Sequence, residues 1–112
     1  MHISITGRHY EASQTLRAYA TKKLQQLTKF SSKLDEAHLI LWPERYQVVA
    51  EITVHTKHFR AVGKAQALQG QEAFDLALGK VQGLLRRHKE RVAEHPHRRE
   101  PPAPRKRRGA TE

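Results

Sequence analysis

The residues of this chain whose types and spacing could do chemistry are its cations, and the most informative group of them lies between Lys80 and Arg91. This stretch holds five lysines and arginines and one histidine, against the single anion Glu90. Lys80, Arg87 and Arg91 recur at helical spacing, so they fall on one stripe of a helix. Fixed cations on a helix face suit a polyanion such as RNA better than a small substrate. The alternative is an ordinary solvated surface, which lysine and arginine occupy in most proteins.

An apolar stripe beside these cations indicates how the helix is held. It consists of residues at spacings of four, three, four and seven, namely Phe74, Leu78, Val81, Leu85 and Val92. This pattern predicts an amphipathic helix that buries one face and presents cations on another. Arg86 and Lys89 would widen the charged surface.

An earlier segment of the chain predicts a second basic helix. Ser13 is a candidate N-cap, and apolar residues recur at spacings of four, four and three over 16–27. We predict a helix from Ser13 to about Phe30, with Lys22 and Lys29 on one stripe of its flank. If both helices cover the same face of a sheet, these two lysines and the later cations form one surface.

Gly79 and Gly83 are unusual residues for the interior of the second predicted helix. Each costs about 1 kcal/mol relative to alanine there. They lie four apart and face away from the apolar stripe. One interpretation is that a patch without side chains lets a phosphate backbone approach closely. The other, held equally, is that the glycines are weak points tolerated in a helix held by packing.

Patterns for catalysis, metal binding or cofactor binding are missing from the sequence. The chain has eight histidines but no cysteine, and no two histidines fall at i and i+4 in a helix. His55 and His58 flank a predicted turn and are interpreted as surface residues. There is no glycine-rich phosphate loop, no G-x-S-x-G motif and no convergent pair of carboxylates. We therefore predict that the protein is not an enzyme and has no metal, no cofactor and no small-molecule substrate.

The composition of the chain limits the kinds of partner and the cellular compartment that we expect. The formal net charge is +10 and the sequence pI about 10.4, which favours an anionic macromolecular partner. A chain without cysteine fits a reducing cytosol. The sequence has no apolar N-terminal region and no stretch of membrane-spanning length. These features predict a soluble cytoplasmic protein without membrane association, and nothing in them indicates an obligate dimer, so we expect a monomer off its partner.

The remaining patterns predict one α+β domain over residues 1–92, in the order β-α-β-β-β-α. The predicted strands cover residues 2–6, 37–42, 46–55 and 59–67. We expect two helices packed on one face of a four-stranded, mostly antiparallel sheet, an outline that resembles the double-stranded RNA-binding fold. Residues 93–112 carry four prolines and the run Arg105–Arg108. They contain few apolar side chains that could form a core, so we predict a disordered basic tail rich in proline and arginine.

Several segments of the chain resemble one known family. They are Ile3-Ser4-Ile5-Thr6-Gly7-Arg8, Leu16-Arg17-x-Tyr19, Lys22-Lys23-Leu24 and the segment Leu84–Arg91. Together, and in this order, they are similar to the ribosome hibernation promoting factor family, which includes the ribosome-associated translation inhibitors or sigma-54 modulation proteins. The resemblance runs from Met1 to about Val92, and the family's element order agrees with the predicted one.

The resemblance implies a partner and a mode of action. It implies binding to the small ribosomal subunit and its ribosomal RNA, in the channel of messenger RNA and the A- and P-site transfer RNAs. The bound factor would keep idle ribosomes of resting or stressed cells intact and untranslating. The implied contact residues are Lys22, Lys23, Lys80, Arg86, Arg87, Lys89 and Arg91, to which the helical pattern adds Lys29. Lys23 projects near the apolar stripe, where it would also cover core.

The chain departs from the family at the start of the second helix. Relatives carry an acidic, aromatic segment there, whereas this chain has Gln69–Asp75, which retains Ala73, an apolar residue at 74 and Asp75. The lost acidic and tyrosine side chains alter the docking contacts expected of that segment. Long family members also carry a second, dimerising domain, which the residues after Val92 are too few and too polar to form. The resemblance is therefore to a short form.

Two other classes of function stay open at this point. A general module for structured RNA would bind duplex RNA as well as ribosomes. A protein-interaction adaptor would use the tail or exposed Leu76 and Trp42, and its interactions would survive nuclease treatment.

Overall fold

The computed structural model describes residues 1–31 and 33–94, with side chains described through residue 89. Its elements, in chain order, are β1 (His2–Gly7), α1 (Gln14–Gln25), a 3-10 turn (Gln26–Lys29), β2 (Glu36–Glu44), β3 (Gln47–His55), β4 (Arg60–Ala67) and α2 (Gly70–Glu94). The predicted order β-α-β-β-β-α is confirmed. The predicted tail lies outside the described residues from position 95 onward.

The four strands form one sheet in the order β1-β2-β3-β4. β1 runs parallel to β2, and α1 makes the crossover that a parallel pair requires. β2, β3 and β4 form an antiparallel meander. Both helices contribute to one core on the same face of this sheet, α2 lying over β3 and β4. The predicted α+β architecture is therefore confirmed.

The core follows from strand alternation and helical period. Alternate residues of β2, β3 and β4 point toward the helices and are buried, namely Ala37, Leu39, Leu41, Ala50, Ile52, Val54 and Ala61. On α2, Phe74 and Val81 are fully buried, and Leu78 and Leu85 are nearly so. Each such side chain contributes about 1.5–3 kcal/mol. The predicted apolar stripe is confirmed through Leu85, and the side chain of Val92 lies outside the described part.

Gly63 sets how closely α2 lies on β4. A Cβ atom at this position would be 2.5 Å from the carbonyl oxygen of Ala77 and 2.8 Å from a methyl carbon of Val81. Real Cβ atoms do not approach backbone oxygens this closely, so only glycine fits. The helix backbone therefore rests directly on the strand, and the helix cannot rotate about its axis without losing this contact.

The first helix begins where the sequence predicts and ends earlier. The hydroxyl of Ser13 accepts a hydrogen bond from the Leu16 N–H at 3.1 Å, which confirms the N-cap. The α-helix ends at Gln25 rather than near Phe30 and continues as the 3-10 turn. The 3-10 turn contains Leu27, which is fully buried, so the chain still contributes to the core after the α-helix has ended.

The hairpin between β2 and β3 corrects two predicted strand ends. Arg45 and Tyr46 form its two-residue turn, with Arg45 at a positive φ of 59°, so Tyr46 is not the start of β3. β2 continues past the predicted end at Trp42 to include Pro43. Pairing with β1 ends at Leu41, so Pro43 has a strand neighbour on one side only, where a missing N–H is tolerated.

The opposite face of the sheet is open to solvent and is largely polar, with His38 and His55 half-exposed and Lys64 exposed. Within the described residues, neither helix is long and apolar enough to cross a membrane.

Candidate nucleic-acid interface

Two hydrogen bonds define the two flanks of α2. The Tyr19 hydroxyl on α1 donates to Oδ1 of Asp75 at 2.7 Å, so Asp75 marks the flank that faces α1. The Lys80 ammonium donates to the main-chain carbonyl of Lys64 at 2.7 Å, so Lys80 marks the flank over the edge strand β4. The rotation of the helix about its axis is fixed between these two contacts.

The Tyr19–Asp75 hydrogen bond belongs to a small contact that joins the two helices. The Tyr19 ring also lies edge-to-face against Phe74, with 5.9 Å between ring centroids. The hydrogen bond to Asp75, burial and the carboxylate charge, in that order, raise the pKa of Tyr19 above its ordinary value. The phenol is therefore held neutral as a donor. Asp75, retained from the family pattern, has a structural role here.

Six of the eight predicted contact residues are exposed cations on the helices or the adjoining 3-10 turn, namely Lys22, Lys29, Lys80, Arg86, Arg87 and Lys89. We call these six residues the helix-layer cations. Lys23 is half-buried, with its ammonium 5.6 Å from the centroid of the Tyr19 ring, as its place beside the apolar stripe predicts. Arg91 is helical, but its side chain lies outside the described part.

The helix-layer cations of α2 occupy both of its flanks. Arg86 and Lys89 follow Asp75 by 11 and 14 residues, close to three and four full turns, and so share the flank that faces α1. Arg87 follows Lys80 by two turns and shares the flank over β4. The sequence predicts one surface formed by Lys22, Lys29 and the later cations, without saying which flank of α2 each cation occupies. Lys80 lies across the helix from α1, and the charged surface extends over the whole outer side of α2.

The electrostatic field of this surface is positive along most of α2. No aspartate or glutamate occurs from Leu76 to Lys89, the segment between Asp75 and Glu90. The acidic residues Glu72 and Asp75 lie at the N-terminal end, where the helix dipole stabilises them. The cations lie toward the C-terminal end, which is also favourable. The exposed cations of α2 from Lys80 to Lys89 are therefore not interspersed with acidic residues.

The two helical glycines lie within this charged surface. A Cβ atom at Gly79 would meet nothing within 4 Å, and one at Gly83 would meet only an Arg87 nitrogen at 3.8 Å. Neither glycine is required by packing, in contrast to Gly63. The helix backbone is bare here, between its two cationic flanks.

Sequence reasoning missed several cations whose partners depend on the tertiary structure. On the open face of the sheet, Arg8 and Lys64 lie over the Trp42 ring, at 5.6 and 5.5 Å from its centroid. Arg17 of α1 donates to the main-chain carbonyl of Ile5 at 3.3 Å. Strand alternation places Trp42 and Lys64 on one face, but only the pairing of strands brings them together.

His88 is a packing residue, as its place beside the apolar stripe predicts. Its ring stacks on Phe59 with 3.9 Å between centroids and 9° between planes. Phe59 was predicted to begin β4 but lies in the preceding loop, where Thr56 donates to its carbonyl. The stack ties this loop to the end of α2.

Comparison with known proteins gives consistent matches. Residues 3–93 match the profile of the family described as Sigma 54 modulation protein / S30EA ribosomal protein. A ribosome hibernation promoting factor of Salmonella typhimurium is 24% identical over 95 residues, covering 85% of this chain and all of that protein. One from Pseudomonas putida is 29% identical over 91 residues, covering 81% of this chain and 89% of that protein.

Two solved structures share the fold. A ribosomal subunit interface protein from Coxiella burnetii superposes with a TM-score of 0.75 at 22% identity, covering 80% of this chain and 99% of that one. The N-terminal domain of Protein Y from Thermus thermophilus gives a TM-score of 0.71 at 24% identity, covering 79% and 99%.

Proposed function

Because the chain belongs to the Sigma 54 modulation protein / S30EA ribosomal protein family, we propose that it is a ribosome hibernation factor that binds the small ribosomal subunit. It occupies the decoding channel, where the A- and P-site transfer RNAs lie, and blocks translation in resting or stressed cells. The names of its curated relatives support the hibernation role. A ribosomal partner also places its action in the cytoplasm.

The observation that carries this proposal is the set of six exposed helix-layer cations, four of which lie on an α2 segment without acidic residues. Ribosomal RNA presents closely spaced phosphates, and cations held on rigid helices bind such a surface without ordering a loop. The described part of the helix layer has no fully exposed aromatic ring. Contacts to phosphates and to RNA shape are therefore favoured over base stacking.

The basic residues have two different roles, contact with RNA phosphates and positioning of the helices. The helix-layer cations contact RNA phosphates, and Lys80 has one of its three ammonium donors on Lys64 and two left for a phosphate. Lys23, over the Tyr19 ring, helps to hold α1 beside α2. The factor inhibits by occupying space that transfer RNA needs, so the mechanism requires no chemical step.

Salt dependence tests the electrostatic part of the proposal. If roughly six phosphate contacts form, affinity for small subunits should fall about a thousandfold between 50 and 200 mM salt. The measurement is the dissociation constant of fluorescently labelled protein at several salt concentrations. A fall of less than about tenfold over this range would rule out phosphate contacts as the main source of affinity.

Occupancy of the decoding channel is tested by competition with its natural occupants. Small subunits preloaded with messenger RNA and P-site transfer RNA should bind the protein much more weakly than empty subunits. Subunits loaded with messenger RNA alone serve as an intermediate control. Equal affinity for loaded and empty subunits would place the protein elsewhere on the ribosome.

A general duplex-RNA-binding module is the second candidate, favoured by the same lack of exposed aromatic rings on the helix layer. A duplex RNA competitor distinguishes the two. A hibernation factor should stay on small subunits in the presence of excess duplex RNA at equal nucleotide concentration, whereas a general module should be displaced.

A further inference from the structure

The open face of the sheet gathers histidines around one carboxylate. His2 on β1, Glu36 on β2 and His55 on β3 are register partners in one row across three strands. His38 lies two residues beyond Glu36 on β2, so strand alternation places it on the same face. The row is on the opposite side of the sheet from the helices and shares no residue with the proposed RNA surface.

Three of these side chains bring their donor atoms together. Nε2 of His38 is 3.1 Å from Oε1 of Glu36, and donor atoms of Glu36, His38 and His55 all lie within 4.8 Å of one another. The rings of His38 and His55 are 6.1 Å apart at 80° to each other. Their edges therefore converge beside the carboxylate.

We propose that Glu36, His38 and His55 bind a divalent transition-metal ion, with zinc as the probe. Imidazole nitrogen and carboxylate oxygen bind zinc at about 2.0–2.2 Å, and two histidines with one carboxylate leave a position open. Tetrahedral geometry at these bond lengths places donor atoms about 3.4 Å apart. The present separations, 3.1 Å between His38 and Glu36 and at most 4.8 Å within the cluster, lie on either side of that value, and the side chains of Glu36 and His38 have room to adjust because they are 49% and 36% exposed.

One further observation fits this site. His2 is exposed and pairs with Glu36 on the other side, so it is placed to fill the open position.

The test is a zinc titration of the full chain by isothermal calorimetry. Because the sequence His95-Pro96-His97 supplies a separate imidazole pair, every protein carries His95→Gln and His97→Gln. One zinc ion per chain is expected, with affinity at least tenfold weaker in the double variant His38→Gln/His55→Gln. The matched control, His9→Gln/His58→Gln, removes two exposed histidines outside the cluster and should bind zinc like the parent.

A second measurement keeps the test independent of folding. Zinc should shift the ring-nitrogen resonances of His38 and His55 in the parent protein and leave those of His9 and His58 unchanged. Equal zinc affinity in the two double variants, or zinc shifts confined to other histidines, would overturn the proposal. No zinc binding at all would reduce the cluster to a Glu36–His38 ion pair and would overturn it equally.

Discussion

The helix side and the open side of the sheet carry charge in opposite ways. On the helix side, six exposed cations are spread over two helices and the 3-10 turn, and α2 has no acid among them. On the open side, cations and histidines are matched locally, Arg8 and Lys64 by the Trp42 ring and His38 by Glu36. Unmatched, spread charge suits an extended polyanion. Converging, matched donors suit a single small ion.

Charge reversal on the two sides should show the largest difference. Arg86→Glu/Arg87→Glu should weaken small-subunit binding at least about a hundredfold near 100 mM salt, since two phosphate contacts are lost and two repulsions added. The matched variant Lys57→Glu/Arg60→Glu makes the same charge change away from the helix layer and should bind within about threefold of the parent. Cosedimentation measures both, with circular dichroism as a check on folding. Equal losses would show that net charge, and not the helix layer, determines affinity.

A substitution at Gly63, where α2 rests on β4, should give the next largest effect. Gly63→Ala places a methyl group against the Ala77 carbonyl and Val81, and should destabilise the protein by about 1–3 kcal/mol. The midpoint of thermal unfolding should fall by about 4–8 °C for each kcal/mol. An unchanged midpoint would mean that α2 moves freely on β4, and that the rotation dividing its cations into two flanks is not fixed.

Loss of the hydrogen bond between Tyr19 and Asp75, which joins the two helices, should have a smaller effect on stability, and this effect should depend on pH. Tyr19→Phe removes the hydrogen bond to Asp75 and should cost about 1 kcal/mol at neutral pH. Because the folded-state pKa of Tyr19 is raised, its contribution is full below the ordinary value near 10 and declines as pH rises through the raised value. The difference in urea stability between parent and variant should therefore shrink above about pH 10.

The control for this prediction is Tyr46→Phe. Tyr46 is 91% exposed in a turn. The Tyr46→Phe variant should therefore have nearly the same free energy of unfolding as the parent, both at neutral pH and above about pH 10. A difference at Tyr19 that stayed constant with pH would argue against the carboxylate as its partner.

The smallest expected effect has the opposite sign. Gly79→Ala should stabilise the protein by about 0.5–1 kcal/mol, because alanine favours the helix and meets nothing at this position. Thermal unfolding measures the gain. Small-subunit binding of the same variant separates the two interpretations of this glycine. Unchanged binding identifies a tolerated weak point, and weaker binding identifies a site where RNA approaches the bare backbone.

Local patterns were enough to predict the element order, the layer arrangement and most of the charged surface. The period of Phe74, Val81 and Leu85 predicts the buried side of α2, and the exposed cations follow from it. The period does not say which neighbour lies on each flank. That depends on Gly63 and on the Tyr19–Asp75 bridge, which join residues far apart in the chain. The flank that Lys80 occupies could therefore not be assigned from the sequence.

The histidine cluster shows a second limit of the sequence. His38 and Glu36 are two residues apart on one strand, a spacing that the sequence shows, but His55 joins them only through the register of β2 and β3. That register is set by the two-residue turn at Arg45 and Tyr46, whereas the predicted strands left residues 43–45 between them. The residue of β2 that lies beside His55 depends on this register, so cross-strand neighbours could not be assigned from the sequence.

The hydrogen bonds of Lys80 and Arg17 have a consequence for the behaviour of the protein at high concentration. β1 and β4 are the two edges of the sheet, and each has a main-chain carbonyl bound by a cation from the helix above it, Ile5 by Arg17 and Lys64 by Lys80. Exposed edges are templates on which strands of other molecules add. Charged side chains across both edges oppose such addition, so Arg17 and the proposed RNA contact Lys80 should disfavour pairing of this sheet with that of another copy of the chain.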